Sequence, residues 1–246
     1  MQINNIYNGD CLELMKEIQS GSIDMILCDL PYGTTACKWD TIIPFSELWS
    51  QYKRVIKENG AIVLTSSQPF TSALVMSSPE LFKYQWVWDK IIPSGMAYAR
   101  HQPMRQHEDI LIFCKGKTIY NAQMVKRDVP IKGGGMSKGE TTNNQKLVAL
   151  HKTYDFKNPT TMLRFDKIRR GSIHPTQKPV ALFEYLIKTY TNEGDTVLDN
   201  CSGSGTTAIA CINTNRNYIC MEKDYEYYNK SIERILKHSN QLSLNI

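Results

Sequence analysis

Short apolar runs that stop abruptly at an acid, each set between stretches of helical periodicity, constrain the fold of this 246-residue chain most tightly. "SIDMILCDL", bounded by Gly21 and Pro31, has the continuous apolar character of a strand buried on both faces. "AIVLTSS", "KYQWVWDK", "HEDILIFCKG", "DTVLDN" and "RNYICMEKD" read as further strands. Between them, "CLELMKEIQSG", "FSELWSQYKRVIKENG", "FTSALVMSSPELF", "PVALFEYLIKTYTNEG", "TTAIACINT" and "YEYYNKSIERILKHS" carry apolar residues at helical spacing. Gly21, Asn59-Gly60 and Gly194 supply stops, and Pro179 sits where a first turn accepts it. Strands that alternate with helices require long crossovers, so the expected fold is α/β: a doubly wound, mostly parallel sheet.

The rhythm breaks between about residues 115 and 172, where "IKGGGMSKGETTNNQK" has little apolar periodicity. This stretch holds thirteen lysines and arginines against four acids, a local excess of nine positive charges in a chain whose net charge is only +5. A basic insertion on a mildly acidic body is the footprint of a polyanion-binding element, although a merely solvated lysine-rich loop has the same composition. No apolar run reaches the ~20 residues of a membrane span, and the polar start "MQINNIYNGD" does not read as a signal peptide. Seven scattered cysteines without a Cys-x-x-Cys pair point to reduced thiols in a cytoplasmic protein and offer no zinc site.

"VLDNCSGSGTTAIA" reads as a strand, a glycine turn and a helix start. Gly203 and Gly205 permit a tight turn and a close backbone approach to a ligand, and Thr206 or Thr207 could cap the helix. Asp199 ends the strand beside the turn, and Glu222 ends the next strand nineteen residues past Gly203. An acid at that distance is placed to accept hydrogen bonds from ribose hydroxyls. The dinucleotide glycine pattern is incomplete and Gly-Lys-Ser/Thr is absent, which disfavours NAD and excludes a phosphate-cradling NTPase loop. S-adenosylmethionine fits better, having a ribose but no pyrophosphate. Glycines serving an ordinary strand-to-helix turn remain the simpler alternative.

Acids at strand ends in such a sheet face the ligand crevice. Asp29 would lie there, and Pro31 holds Leu30 extended. The Asp29 carboxylate and the Leu30 carbonyl then form two neighbouring acceptors beside the ring of Tyr32. Two acceptors and a stacking ring match a planar base with an exocyclic amine, adenine or cytosine.

"DLPYG", Asp29 to Gly33, resembles the Asp-Pro-Pro-Tyr signature of DNA amino-methyltransferases, with Leu30 for the first proline. "LDNCSGSGTT" resembles their S-adenosylmethionine motif, with Cys201 where an aromatic is common. "HPTQKP" and "NGDCLELM" resemble two further segments of the family, and the motif order is that of its beta group. The resemblance implies a seven-stranded sheet with one antiparallel strand. It divides the chain into a catalytic part (1–114), a target-recognition insertion (115–172) and a cofactor-binding part (173–246). It implies that Asp29, Leu30, Pro31 and Tyr32 act on a base flipped out of double-stranded DNA. Asp10 would contact the cofactor adenine unless it serves only as a helix N-cap. Glu222 would hold the ribose. Asp199, Cys201, Ser202, Gly203, Gly205 and Thr206 would line the methionine end, and Thr176, Gln177 and Lys178 would reach its carboxylate. His174 is equally well read as structural. Trp86 and Trp88 fit core and groove wall better than base stacking. Trp39 fits either a lid over the base or a loop anchor. Lys126, Arg127, Arg164, Arg169 and Arg170 are the candidate DNA contacts. Asp at position 29 favours adenine N6 over cytosine N4. A homodimer and a separate cognate restriction endonuclease are candidate partners, though no interface pattern is visible. A non-catalytic nucleic-acid-binding module and a nicotinamide oxidoreductase are the rival classes.

Overall fold

The computed structural model describes residues 1–35, 37, 40–132, 153–168 and 171–243. Two compact units are present, Met1–Asn121 with Thr161–Ile246, and Ala122–Thr160. The first unit is built on a sheet with eight strands among the described residues. They are β1 (Asn5–Asn8), β2 (Ile23–Asp29), β3 (Ile56–Ser66), β4 (Phe82–Ser94), β5 (Arg105–Phe113), β8 (Met162–Arg164), β9 (Thr196–Asp199) and β10 (Asn217–Glu222). The spatial order is β1-β10-β9-β2-β3-β5-β4-β8. Of these, only β5 runs antiparallel to its neighbours.

The expected doubly wound, mostly parallel sheet is therefore observed, with one strand beyond seven. That addition is β8, three residues pairing through Val87 to Asp89 at the edge. It comes from within the segment expected to be wholly inserted, and so do residues 115–121. Hence the second unit is shorter than 115–172. Among its described residues, β6 (Val125–Lys132) and β7 (Thr153–Lys157) form an antiparallel ribbon.

Alternation along the buried strands builds two cores. Met25, Leu27, Ile110 and Ile112 face α4 (Val180–Tyr190), α5 (Thr206–Asn213) and α6 (Tyr225–Ser243). Ile26, Cys28, Leu111 and Phe113 face α1 (Cys11–Met15), α2 (Phe45–Val55) and α3 (Phe70–Ser77). Successive side chains point to opposite faces, so helices cover both sides and bury the strands' apolar character. The Trp86 indole donates to the Tyr190 hydroxyl at 2.6 Å, deep in the first core.

Asn59-Gly60 does not end α2. The helix stops at Val55 and β3 begins at Ile56. Between the pairs Ile23–Ile56 and Met25–Ala61 the register shifts, so β3 bulges through the expected stop. Gly60 is required there: a Cβ would lie 2.7 Å from the Ile56 side chain and 2.8 Å from the Asp24 carbonyl oxygen. Arg54, one residue before the helix end, donates to the Met15 and Ile18 carbonyls, each at 2.6 Å, and so satisfies the end of the short α1. Among the described residues no helix is long and apolar enough to cross a membrane.

Candidate active site

A cavity of about 910 Å³ opens where β2, β9 and β10 end. Asp10, Asp29, Leu30, Pro31, Tyr32, Thr176, Gln177, Lys178, Asp199, Cys201, Ser202, Gly203, Thr206 and Glu222 all line it. The sheet thus gathers one set of expected residues from positions up to 212 apart. This is the crevice at the carboxyl ends of the strands that such sheets use for ligands.

At the glycine turn, Gly203 and Gly205 adopt φ values of +49° and +71°, in the left-handed region that other residues enter at a cost. Glu222 fixes the turn: it accepts from the Gly203 amide at 2.7 Å and from the Asp224 amide at 2.8 Å. Burial pushes its carboxyl above the usual range. Asp199 is more enclosed, accepting from the Cys201 amide at 3.1 Å and from the Thr207 hydroxyl. Burial raises it to about 7. Asp199 therefore braces the turn as well as lining the cavity. Among the described residues the buried hydroxyl of Ser202, a residue of the cavity lining, finds no hydrogen-bond partner. This strand-end acid, the open backbone turn and the unsatisfied hydroxyl fit a nucleoside cofactor with an amino-acid tail.

Several other expected residues are engaged by the fold itself. Asp10 is the N-cap of α1, accepting from the Leu12 amide at 3.0 Å, and it also pairs with Lys223 at 3.0 Å. His174 packs on the glycine turn: a Cβ on Gly203 would meet its ring at 3.5 Å, and its ring lies 4.3 Å from that of Tyr227. Its Nδ1 accepts from the Thr176 amide at 3.3 Å, and Gln177 folds back to accept from the Ile173 amide at 3.0 Å. Thr176 and Gln177 thus hold their own loop. Cys201 interacts with Cys11 and Cys28, three thiols taking the place of an aromatic ring.

The acid motif occupies the other end of the cavity. Asp29 terminates β2 and is held on both oxygens. Oδ1 accepts from the Tyr32 hydroxyl at 2.8 Å and from the Thr65 hydroxyl, while Oδ2 faces the Lys178 ammonium at 2.7 Å. Lys178 therefore points its ammonium at Asp29 and not at the glycine turn, whereas the sequence resemblance placed it at the methionine carboxylate. Burial acts to lower its pKa, but Asp29 and Glu108 outweigh it and raise the group above the usual ammonium range. One face of Tyr32 stacks on Phe70, with centroids 5.1 Å apart and planes 24° from parallel. Burial and the Asp29 charge push the phenol well above its usual pKa. Leu30 turns its side chain into the core, which explains why leucine serves where proline is usual.

Several contributors escaped the reading of the sequence. Asp40 accepts from the amides of Gly33, Thr34 and Thr35 at 2.7–2.9 Å and shapes the loop after Tyr32. Thr65 comes from the neighbouring strand β3. Glu108 and Lys90 lie on the cavity wall and pair at 3.1 Å. The one signal for Glu108 was an acid at the head of an apolar strand, "HEDILIF". Trp88 also lines this wall, its indole donating to the Phe165 carbonyl at 2.8 Å.

The candidate DNA contacts are divided. Lys126 and Arg127 lie on the ribbon of the second unit, where Arg127 donates to the Phe156 carbonyl at 3.3 Å. Arg164 lies on β8 of the first unit, with its guanidinium 3.6 Å from Asp89. Arg169, Arg170 and Trp39 lie outside the described residues.

With this geometry in view, comparison with known proteins places the chain. Residues 23–233 match the family model described as "DNA methylase", which covers N6 and N4 amino-methyltransferases, and the chain belongs to that family. It is 29% identical to the type II methyltransferase M.HpaI of Haemophilus parainfluenzae, over 92% of this chain and 72% of that one. It is 28% identical to the DNA adenine methyltransferase YhdJ of Escherichia coli K12, over 95% and 83%. The crystal structure of an M1.HpyAVI–SAM complex superposes with a TM-score of 0.64 at 26% identity, covering 94% of this chain and 98% of that one. The protein is a DNA methyltransferase, and its cofactor is S-adenosylmethionine.

Proposed function

We propose that the enzyme methylates the N6 amino group of an adenine flipped out of double-stranded DNA. The observation that carries this reading is the Asp29 carboxylate at the cavity wall, held on both oxygens by Tyr32, Thr65 and Lys178. Such a fixed acceptor suits an exocyclic amine. By accepting its N–H, Asp29 keeps the nitrogen lone pair from delocalising into the ring, and the nitrogen becomes nucleophilic. When bound, S-adenosylmethionine supplies an electrophilic methyl group. Glu222, Ser202 and the Gly203–Gly205 turn would hold it, with Asp10 near the adenine end. Asp29 and the Leu30 carbonyl orient the amine, and the Tyr32 ring packs on the base at about 1–3 kcal/mol. The fixed contacts around Asp29 pre-organise the charge before reaction.

Aspartate at position 29 and the resemblance to YhdJ support adenine. The family includes cytosine-N4 enzymes, whose amine needs the same acceptors. Mass spectrometry of nucleosides from DNA of a host expressing the protein decides between them. N6-methyladenine is expected. N4-methylcytosine without N6-methyladenine overturns the adenine assignment.

The basic ribbon, with Lys126 and Arg127, is proposed to bind DNA phosphates as part of a target-recognition segment within 115–172, between the catalytic part (1–114) and the cofactor-binding part (173–246).

A further inference from the structure

Asp29 does not stand alone. Four charges, two of them buried lysines and two part-buried carboxylates, run across the wall of the cavity, from β2 through the segment before α4 to β5 and β4. Asp29 Oδ2 meets Lys178 Nζ at 2.7 Å, Lys178 Nζ lies 3.3 Å from Glu108 Oε2, and Glu108 Oε1 meets Lys90 Nζ at 3.1 Å. Lys178 and Lys90 are each only 7% exposed. Two cations and two anions therefore balance in a place where an unpaired charge is costly.

The chain of charges is uneven. Lys178 makes a well-directed hydrogen bond to Asp29, while Glu108 Oε2, although 3.3 Å from it, has no hydrogen bond of good geometry. Glu108 thus holds a second, looser acceptor beside the ammonium. The backbone after Lys90 is also unusual. Ile91 has φ +66°, a true outlier for a β-branched residue, and its amide is held by Asp89 at 2.8 Å. Strain of this kind persists where surrounding structure over-determines it, and it collects at functional sites.

We infer that Glu108 is a positioning residue for the methyl-transfer reaction: anchored by Lys90, it shares Lys178 with Asp29 and so leaves the Asp29 carboxylate fixed and able to accept from the target amine. The inference rests on the proposed role of Asp29. When an amine approaches Oδ2, Lys178 can lean toward Glu108 without losing its charge balance. Without Glu108, two lysines would share one carboxylate, and Lys178 would press on Asp29 where the amine must bind. Positive charge builds on that amine during transfer, so an uncompensated ammonium beside it opposes the reaction.

The groups facing Lys178 are Asp29 from β2, Glu108 from β5, the Tyr32 ring at 5.8 Å and His174 from its own segment, with Lys90 of β4 behind Glu108. Burial acts to lower the pKa of Lys178, and the two carboxylates reverse this. Neutralising one of them must bring Lys178 toward deprotonation at lower pH.

The test is Glu108→Gln, with Glu108→Asp as the charge-conserving control. Titration of labelled lysine side chains by NMR, in the protein without DNA, reads Lys178 directly, with Lys178→Met assigning the signal. In Glu108→Gln its midpoint should fall by about 1 pH unit or more. The alkaline limb of kcat should move down with it, and kcat near neutrality should fall by about 10²-fold. S-adenosylmethionine affinity should stay near wild type, and Glu108→Asp should recover most of the titration and the rate. Wild-type Lys178 titration in Glu108→Gln, or a lower melting temperature with an unmoved alkaline limb, overturns the inference. Full turnover in Asp29→Ala would instead overturn the role of Asp29, leaving the NMR result to stand by itself.

Discussion

At the scale of single residues, the site is an exercise in holding carboxylates still. Asp29, Asp40, Asp199 and Glu222 each accept from two or more donors. Their environments differ in sign. Burial opposes ionisation of Asp40, but donors from Thr35, Gly33 and Thr34 overcome it and keep the carboxyl below its usual range. At Asp199 burial wins and the carboxyl rises to about 7. A carboxyl raised in the folded state stabilises the fold at low pH, and that contribution is lost as pH climbs from about 4 toward about 7. Thermal melts across that range should therefore show Asp199→Asn gaining stability relative to wild type as pH rises. A difference that is flat with pH contradicts the burial argument. The acids at strand ends were legible in the sequence because each closes an apolar run. Glu108 and Lys90 were not, because their meeting with Lys178 depends on the antiparallel pairing of β4 with β5 and on a segment some seventy residues later.

At the scale of elements, local chemistry explains both what was legible and what was misread. Pro179 stands at the N-cap of α4, and the turn at Gly203–Gly205 leads into α5 as its pattern implied. Asn59-Gly60 misled because a close approach and a helix stop call for the same residue type, and only the neighbouring strand distinguishes them. The short β1 and β8 went unread because four and three residues carry no period. Gly205 gives the sharpest test at this scale. Its φ is +71°, and a Cβ would lie 3.1 Å from Ile235 and 3.2 Å from Ser231 of α6. Gly205→Ala should cost about 1–2 kcal/mol from backbone conformation alone. Calorimetry should show a lowered Tm together with weaker S-adenosylmethionine binding. Unchanged values for both would remove the turn from the cofactor site.

At the scale of the whole molecule, charge is divided as unevenly as function. The basic excess falls within residues 115–172, and the described ribbon carries Lys126, Arg127, Lys132 and Lys157 of that stretch. If it neutralises phosphates, DNA affinity should fall steeply with salt. Replacing Lys126 and Arg127 by alanine should reduce the slope of log K against log salt by about 1 for each phosphate left without its cation. An unchanged slope would mean that these two residues do not touch the DNA backbone. The central claim is that Asp29 activates the target amine, and single-turnover methylation by Asp29→Ala tests it most directly. With S-adenosylmethionine and DNA binding retained, the account predicts a rate lower by about 10²–10³-fold or more; a rate equal to wild type would contradict it.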